Sequence, residues 1–222
     1  MQAVVVVGKI ASGKEQAVKL LKELTGAPVY AGSAIIKSEI ILEHVRERMR
    51  AISQRRSIRP LREHSSITRE EYREAYLQRA ERFGKDWAAR EIVRRHFFRN
   101  SCQEIIVEGP RDLPDVKCLV KDGGVVVELK VKDQLRFERK CARAESRDKN
   151  LATFRDFMEF EREEAACLDA AINWARSNNG RGGVEFVEVP NEAEGTENLR
   201  RALIELVFPR LKAAGWNLPV KN

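Results

Sequence analysis

With 222 residues, 43% hydrophobic and 34% charged, the chain is long enough for one sizeable α/β domain carrying a helical insertion. No stretch is apolar enough to span a bilayer and no charged leader precedes the first strand, so neither anchor nor secretory signal is expected. The scattered Cys102, Cys118, Cys141 and Cys167 read as reduced thiols of a cytoplasmic protein. Three dispersed histidines argue against a zinc site or His-based catalysis. A net charge of +7 favours anionic partners, either phosphorylated small molecules or nucleic acid.

Val4-Val5-Val6-Val7 is a β-branched run suited to a strand buried on both faces of a parallel sheet. From Glu15 on, Ala17, Val18, Leu20, Leu21 and Leu24 recur at helical spacing. Between them lies Gly8-Lys9-Ile10-Ala11-Ser12-Gly13-Lys14, with the Gly-x-x-x-x-Gly-Lys spacing of a phosphate-binding loop. The two glycines let backbone N–H groups turn inward where a side chain would block a phosphate. The helix N-terminus adds donors and the positive end of its dipole, and Lys14 reaches the β- and γ-phosphates. The next position normally carries a hydroxyl for Mg²⁺. Here it is Glu15, a carboxylate that can ligate Mg²⁺ or repel a triphosphate.

Residues 27–33 read as a short second strand and its exit loop, with Ser33 capping a helix that starts near Ala34. Lys37, one turn into that helix, is either an acceptor-binding cation or a solvated lysine. Residues 46–62 are densely basic, a solvated face or a collar that gathers anions. A nucleic-acid groove is less favoured because no aromatic residue interleaves there. Thr68 and Glu71 form a capping box for a long helix through Arg82, and Gly84 and Asp86 separate it from a helix over Trp87–Arg99.

Glu104–Glu108 is the next buried strand, and its C-terminal end brings Glu108 and Arg111 toward the phosphate loop. Glu108 is a candidate Mg²⁺ or water-positioning carboxylate and Arg111 a phosphate clamp, unless the two only pair with each other. A short helix over Val116–Val120 and a strand over Val125–Val131 follow. Arg136, Arg139, Arg143 and Arg147 then recur every three or four residues, which aligns them on one helix face. They await either a bound anion or pairing with Glu138, Glu145 and Asp148. Beyond them come an acidic helix opened by Thr153, an edge strand over Val184–Val189, a loop over Asn191–Thr196, a closing helix over Glu197–Leu211 and a frayed tail from Gly215.

The phosphate loop, Glu108-Gly109-Pro110-Arg111, the run Leu135–Arg143 and Thr153-Phe154-x-x-Phe157 together resemble P-loop kinases of the nucleoside-monophosphate-kinase-like group. That group includes dephospho-CoA kinases, phage-type deoxynucleoside monophosphate kinases and archaeal relatives. The resemblance implies a P-loop NTPase three-layer sandwich, with a five-stranded parallel sheet and helices on both faces. Residues 1–222 would form a single domain in which 34–99 hold the acceptor and 133–150 close as an Arg-rich lid. It further implies ATP and Mg²⁺ as cofactors. Residues 8–15 (Gly8, Lys9, Ile10, Ala11, Ser12, Gly13, Lys14, Glu15) would hold phosphates, and Arg139 and Arg143 would neutralise the transferring phosphoryl group. Ser33, Lys37 and Arg111 would face the acceptor, Asn191, Gly195 and Thr196 the adenine, and Glu15 and Glu108 the metal. The expected activity is ATP-dependent phosphoryl transfer to a nucleotide-like acceptor by a monomer or homodimer. The rival expectation is an ATP-binding regulatory or nucleic-acid-associated P-loop protein.

Overall fold

The computed structural model describes residues 1–53, 69–99, 102–110, 112–143, 153–193, 195–216 and 218. Arg111, Arg147, Thr68 and the basic residues beyond 53 lie outside the described residues, as does the lid beyond Arg143. The strands β1 (Gln2–Val7), β2 (Val29–Ala31), β3 (Glu104–Glu108), β4 (Gly124–Lys130) and β5 (Val184–Pro190) pair in parallel in the order β2-β3-β1-β4-β5. This is the five-stranded parallel sheet expected. The valines of β1 occupy its centre, fully buried from both sides.

Alternation along each strand divides the core in two. Val4, Val6, Ile106, Val125, Val127 and Val189 face α1 (Lys14–Thr25) and the C-terminal helices α8 (Thr196–Ala202) and α9 (Phe208–Ala213). Ala3, Val5, Val7, Ile105, Val107, Val126 and Phe186 face the opposite layer. That layer contains α2 (Gly32–Ser53), α3 (Arg69–Phe83), α4 (Trp87–Arg99), α5 (Leu113–Leu119) and α7 (Phe154–Ser177). Helix α6 (Asp133–Arg143) leads from β4 into this layer. Helix α1 therefore leaves β1 toward one face, while α5 leaves the neighbouring β3 toward the other. Their divergence opens a crevice at the C-terminal ends of these two strands, the place where open α/β sheets bind ligands.

Several boundaries differ from the sequence reading. Helix α2 begins at Gly32, so Ser33 is an exposed first-turn residue and not a cap. Helix α5 begins at Leu113, because Asp112 caps it by accepting from the Asp115 N–H at 3.5 Å. The closing helix is interrupted by a π-helical turn, Leu203–Val207. Leu199, Leu203, Val207 and Leu211 are all buried at intervals of four, a spacing that drifts by about 40° per step on an α-helix. The wider turn absorbs that drift and keeps all four on the sheet, while Leu206 turns outward. The tail does not fray at Gly215: Trp216 is buried against the α1 layer, and its N–H donates to Leu211 O at 2.9 Å.

Gly124 starts β4 where a Cβ would lie 2.5 Å from the Ala3 carbonyl oxygen. Gly124→Ala should therefore push β4 from β1 and cost about 1–3 kcal/mol of stability, read as a lower urea midpoint at unchanged m-value.

Candidate functional site

The loop between β1 and α1 adopts the backbone that its glycines foretold. Gly13 has φ +91° and Ala11 φ +58°, both left-handed. A Cβ on Gly8 would lie 2.6 Å from Ser12 Oγ, and one on Gly13 would lie 2.4 Å from Asn191 Nδ2. Gly13 brings no side chain to the start of α1, so the N–H groups of the first turn have no side-chain cap. The Asn191 side chain instead donates to Ser12 O at 2.9 Å, and its backbone N–H donates to Lys130 O at 2.9 Å, joining the loop after β5 to the phosphate loop.

Lys14 Nζ donates to Gly8 O at 2.7 Å and Lys9 O at 2.8 Å, curling the side chain back over the loop. Its Cε lies 3.9 Å from where a Cβ on Gly109 would stand, in the crevice between β1 and β3. Burial lowers the Lys14 pKa to about 8, against the opposing pull of Glu108 and Glu161 and with the help of Arg143 and Arg136. Glu108 ends β3 opposite Val6 of β1 and Ala31 of β2. Its carboxyl is pushed up by burial, pulled down by Lys14 and pushed up again by Glu15. Lys14, Glu15 and Glu108 thus share one electrostatic neighbourhood. Among the described residues, no three His, Cys, Asp or Glu side chains converge on a metal position.

A cavity of about 360 Å³ opens beside the loop, within the size range of small-molecule sites. Its walls come from three places: Ala11, Gly13 and Gln16; Arg139, Ala142 and Arg143 of α6; and Asn191, Ala193, Gly195, Thr196 and Leu199. The structure therefore gathers the loop glycine, two of the aligned arginines and the Asn191–Thr196 loop around one space. Among the described residues, neither Arg139 nor Arg143 has a carboxylate partner. Arg136 differs: it is buried and paired with Glu161 and Asp133, neither of them a partner anticipated from the local sequence. Lys37 is half-buried on α2, and Arg46 and Arg50 are exposed farther along that helix.

Sequence reasoning missed Glu161 and Gln16. Glu161 had one signal: it stands four residues after Phe157, on the buried stripe of α7, where a carboxylate needs a partner. Gln16 had none beyond its place in the first turn of α1.

No protein-family model matches the chain, and no curated protein sequence matches it. Solved structures do. TT1252 from Thermus thermophilus is similar over 95% of this chain and 97% of its own, with a TM-score of 0.57 at 17% identity. Shikimate kinase from Acinetobacter baumannii, solved in complex with shikimate, is similar over 92% of each chain, with a TM-score of 0.52 at 14% identity. With the parallel sheet and the loop, these likenesses give the chain the α/β fold of P-loop kinases. They do not reach the narrower nucleoside-monophosphate-kinase-like group. No helix among the described residues is long and apolar enough to cross a membrane.

The Lys14 ammonium should titrate near pH 8 in the nucleotide-free protein, visible by NMR of its side-chain nitrogen. Glu108→Gln removes the largest of the influences that hold this pKa up, so the titration should move lower still.

Proposed function

We propose that the protein is an ATP-dependent phosphotransferase acting on a nucleotide-like acceptor of the nucleoside monophosphate or dephospho-CoA type. The observation that carries this reading is the cavity. It runs from the start of α1, which has no side-chain cap, to Arg139, Arg143 and the Asn191–Thr196 loop, so one space offers backbone donors, two guanidinium groups with no carboxylate partner among the described residues, and a small-residue wall. The donor set suits a polyphosphate, and a Cβ at Gly13 would displace the Asn191 side chain that ties the loop to the end of β5. Glu15 and Glu108 suit a hard cation that takes its remaining ligands from phosphate oxygens and water. When bound, ATP with Mg²⁺ supplies the transferable phosphoryl group and part of the charge that balances it.

The chain's own residues then bind, orient and neutralise. The N–H groups at the start of α1 hold phosphate oxygens. Lys14 exchanges its two carbonyl partners for the β- and γ-phosphates, and Arg139 and Arg143 stabilise charge as the phosphoryl moves. Glu108 orients the metal side. Ser33 and Lys37, on α2, and Arg111, which lies outside the described residues, are the proposed acceptor contacts. The four free thiols fit a cytoplasmic setting.

One observation favours a second reading. Glu15 is exposed where a hydroxyl normally serves the metal, which fits an ATP-binding regulatory or nucleic-acid-associated protein with little transfer activity. Assay of γ-phosphate transfer across nucleoside monophosphates and dephospho-CoA separates the two. Mg²⁺-dependent transfer supports the kinase, and tight ATP binding without transfer supports the alternative. Lys14→Ala should lower transfer by about a hundredfold or more; activity near wild type would discard the site assignment.

Bound phosphate favours the Lys14 ammonium, so ATP binding should take up a proton wherever the free amine is neutral. At pH 9, above the Lys14 pKa of about 8, uptake should approach one proton, and at pH 7 it should be small. Calorimetry in two buffers of different ionisation enthalpy reads the difference. ATP affinity should correspondingly fall above pH 8, by up to about tenfold per pH unit.

A further inference from the structure

One residue of the phosphate loop, Ile10, is gripped on both of its backbone polar groups by a buried ion pair. The Ile10 N–H donates to Glu161 Oε1 at 3.2 Å, and the Ile10 carbonyl accepts from Arg136 Nη1 at 3.2 Å. The same guanidinium meets both oxygens of Glu161, with Nη2 donating to Oε2 at 2.6 Å and Nη1 donating to Oε1, and it donates to Asp133 as well. The two side chains are only 1% and 5% exposed. Phe157, itself fully buried, covers the pair, with the guanidinium carbon 5.4 Å from its ring centre.

A buried pair adds little net stability over an apolar replacement, so what it contributes here is geometry. Glu161 and Arg136 could satisfy each other without touching the loop, yet each adds a contact to the backbone of the same residue. Together they fix the two peptide planes on either side of Ile10, immediately before the left-handed Ala11, and withdraw the Ile10 N–H from any phosphate. Arg136 stands in the first turn of α6, and Arg139 and Arg143, one and two turns on, line the cavity. The grip on Ile10 therefore also fixes the distance between the loop and those arginines.

We propose that Arg136 and Glu161 are positioning residues, their ion pair clamping Ile10 through both of its backbone groups so that the phosphate loop keeps its donor geometry and its register with the arginines of α6. The consequence for nucleotide binding rests on the function proposed above, whereas the clamp rests on these contacts alone.

Two readouts separate the clamp from its consequence. The first is amide hydrogen exchange across residues 8–13 in the nucleotide-free protein. The second is the ratio of ATP to adenosine affinity, since adenosine lacks the phosphates. Both are compared in wild type, Glu161→Gln and the apolar double variant Arg136→Met/Glu161→Leu. Glu161→Gln keeps an oxygen for the Ile10 N–H and nearly the same volume, so it serves if the double variant does not fold. Loop exchange should rise about tenfold in a folded variant while exchange in β1 stays the same. The ATP preference should fall about tenfold, with adenosine affinity nearly constant. Unchanged loop exchange and an unchanged ratio in folded variants would overturn the clamp. Faster loop exchange, in a protein whose wild type binds ATP no more tightly than adenosine, would uphold the clamp and remove the ATP reading.

Discussion

The phosphate loop is held open from outside, and the rest of the site depends on that. The Gly8 and Lys9 carbonyls accept from Lys14, the Ile10 carbonyl from Arg136 and the Ser12 carbonyl from Asn191. Within the loop, the Ser12 N–H donates to Lys9 O at 3.2 Å. In a peptide unit, the N–H and C=O point in opposite directions. Drawing the Ile10 and Ser12 carbonyls toward Arg136 and Asn191 therefore turns the N–H groups of Ala11 and Gly13 the other way, toward the space the loop encloses. Each of these bonds contributes about 1 kcal/mol net, so no single one dictates the loop. Their agreement on one backbone shape does.

Beside Lys14, the donors that hold the loop come from distant parts of the chain, and sheet topology explains why they meet. With β1 central, β3 and β4 flank it on either side. The residues that follow these strands are consequently carried to the two shoulders of the loop. Glu108 and Gly109 arrive on the β3 side, where the Gly109 N–H donates to Val6 O at 3.0 Å. On the β4 side, the chain enters α6 and delivers Arg136, Arg139 and Arg143. One strand farther out, β5 delivers Asn191, whose backbone is tied to Lys130 at the end of β4. A parallel sheet aligns all its C-terminal ends, so a site on one edge can draw from every strand.

That explains which parts were legible in sequence. The β1 run, the loop spacing and the apolar stripe of α1 are local patterns, and the structure reproduces them within a residue or two. The grouping of Arg139 and Arg143 with the Asn191–Thr196 loop was also anticipated, through resemblance and not through spacing. The partner of Arg136 was not legible: Glu161 lies 25 residues away on another helix, and local periodicity placed Arg136 on the same stripe as three other arginines. A helical period shows which residues share a face, but not which face meets a carboxylate. The π turn was hidden for a related reason, since a spacing of four at Leu199, Leu203, Val207 and Leu211 passes for an ordinary helix until the accumulated drift is weighed against a flat sheet. Trp216 was misread because position near a terminus was weighed above the apolar area of its ring.

The charges of the site sort by what their partners leave free. Arg136 is cancelled by Glu161 and Asp133 and supplies geometry more than field. Lys14 is bonded to neutral carbonyls, and burial with neighbouring arginines brings its pKa to about 8 against the pull of Glu108 and Glu161, so its positive charge is maintained at a cost. Arg139 and Arg143 face the cavity with no carboxylate partner among the described residues. Glu15 and Glu108 provide the opposing charge, and Glu108 is itself driven toward its neutral form by burial, with Lys14 pulling it back and Glu15 adding a smaller push in the same direction as burial. An anion entering beside Lys14 relieves the repulsion among cations, whereas a cation beside Glu108 relieves that between the carboxylates. Lys14 and Glu108 are each other's strongest charged neighbour, so the cationic and anionic parts of the site are coupled, and a change of charge beside one is felt at the other.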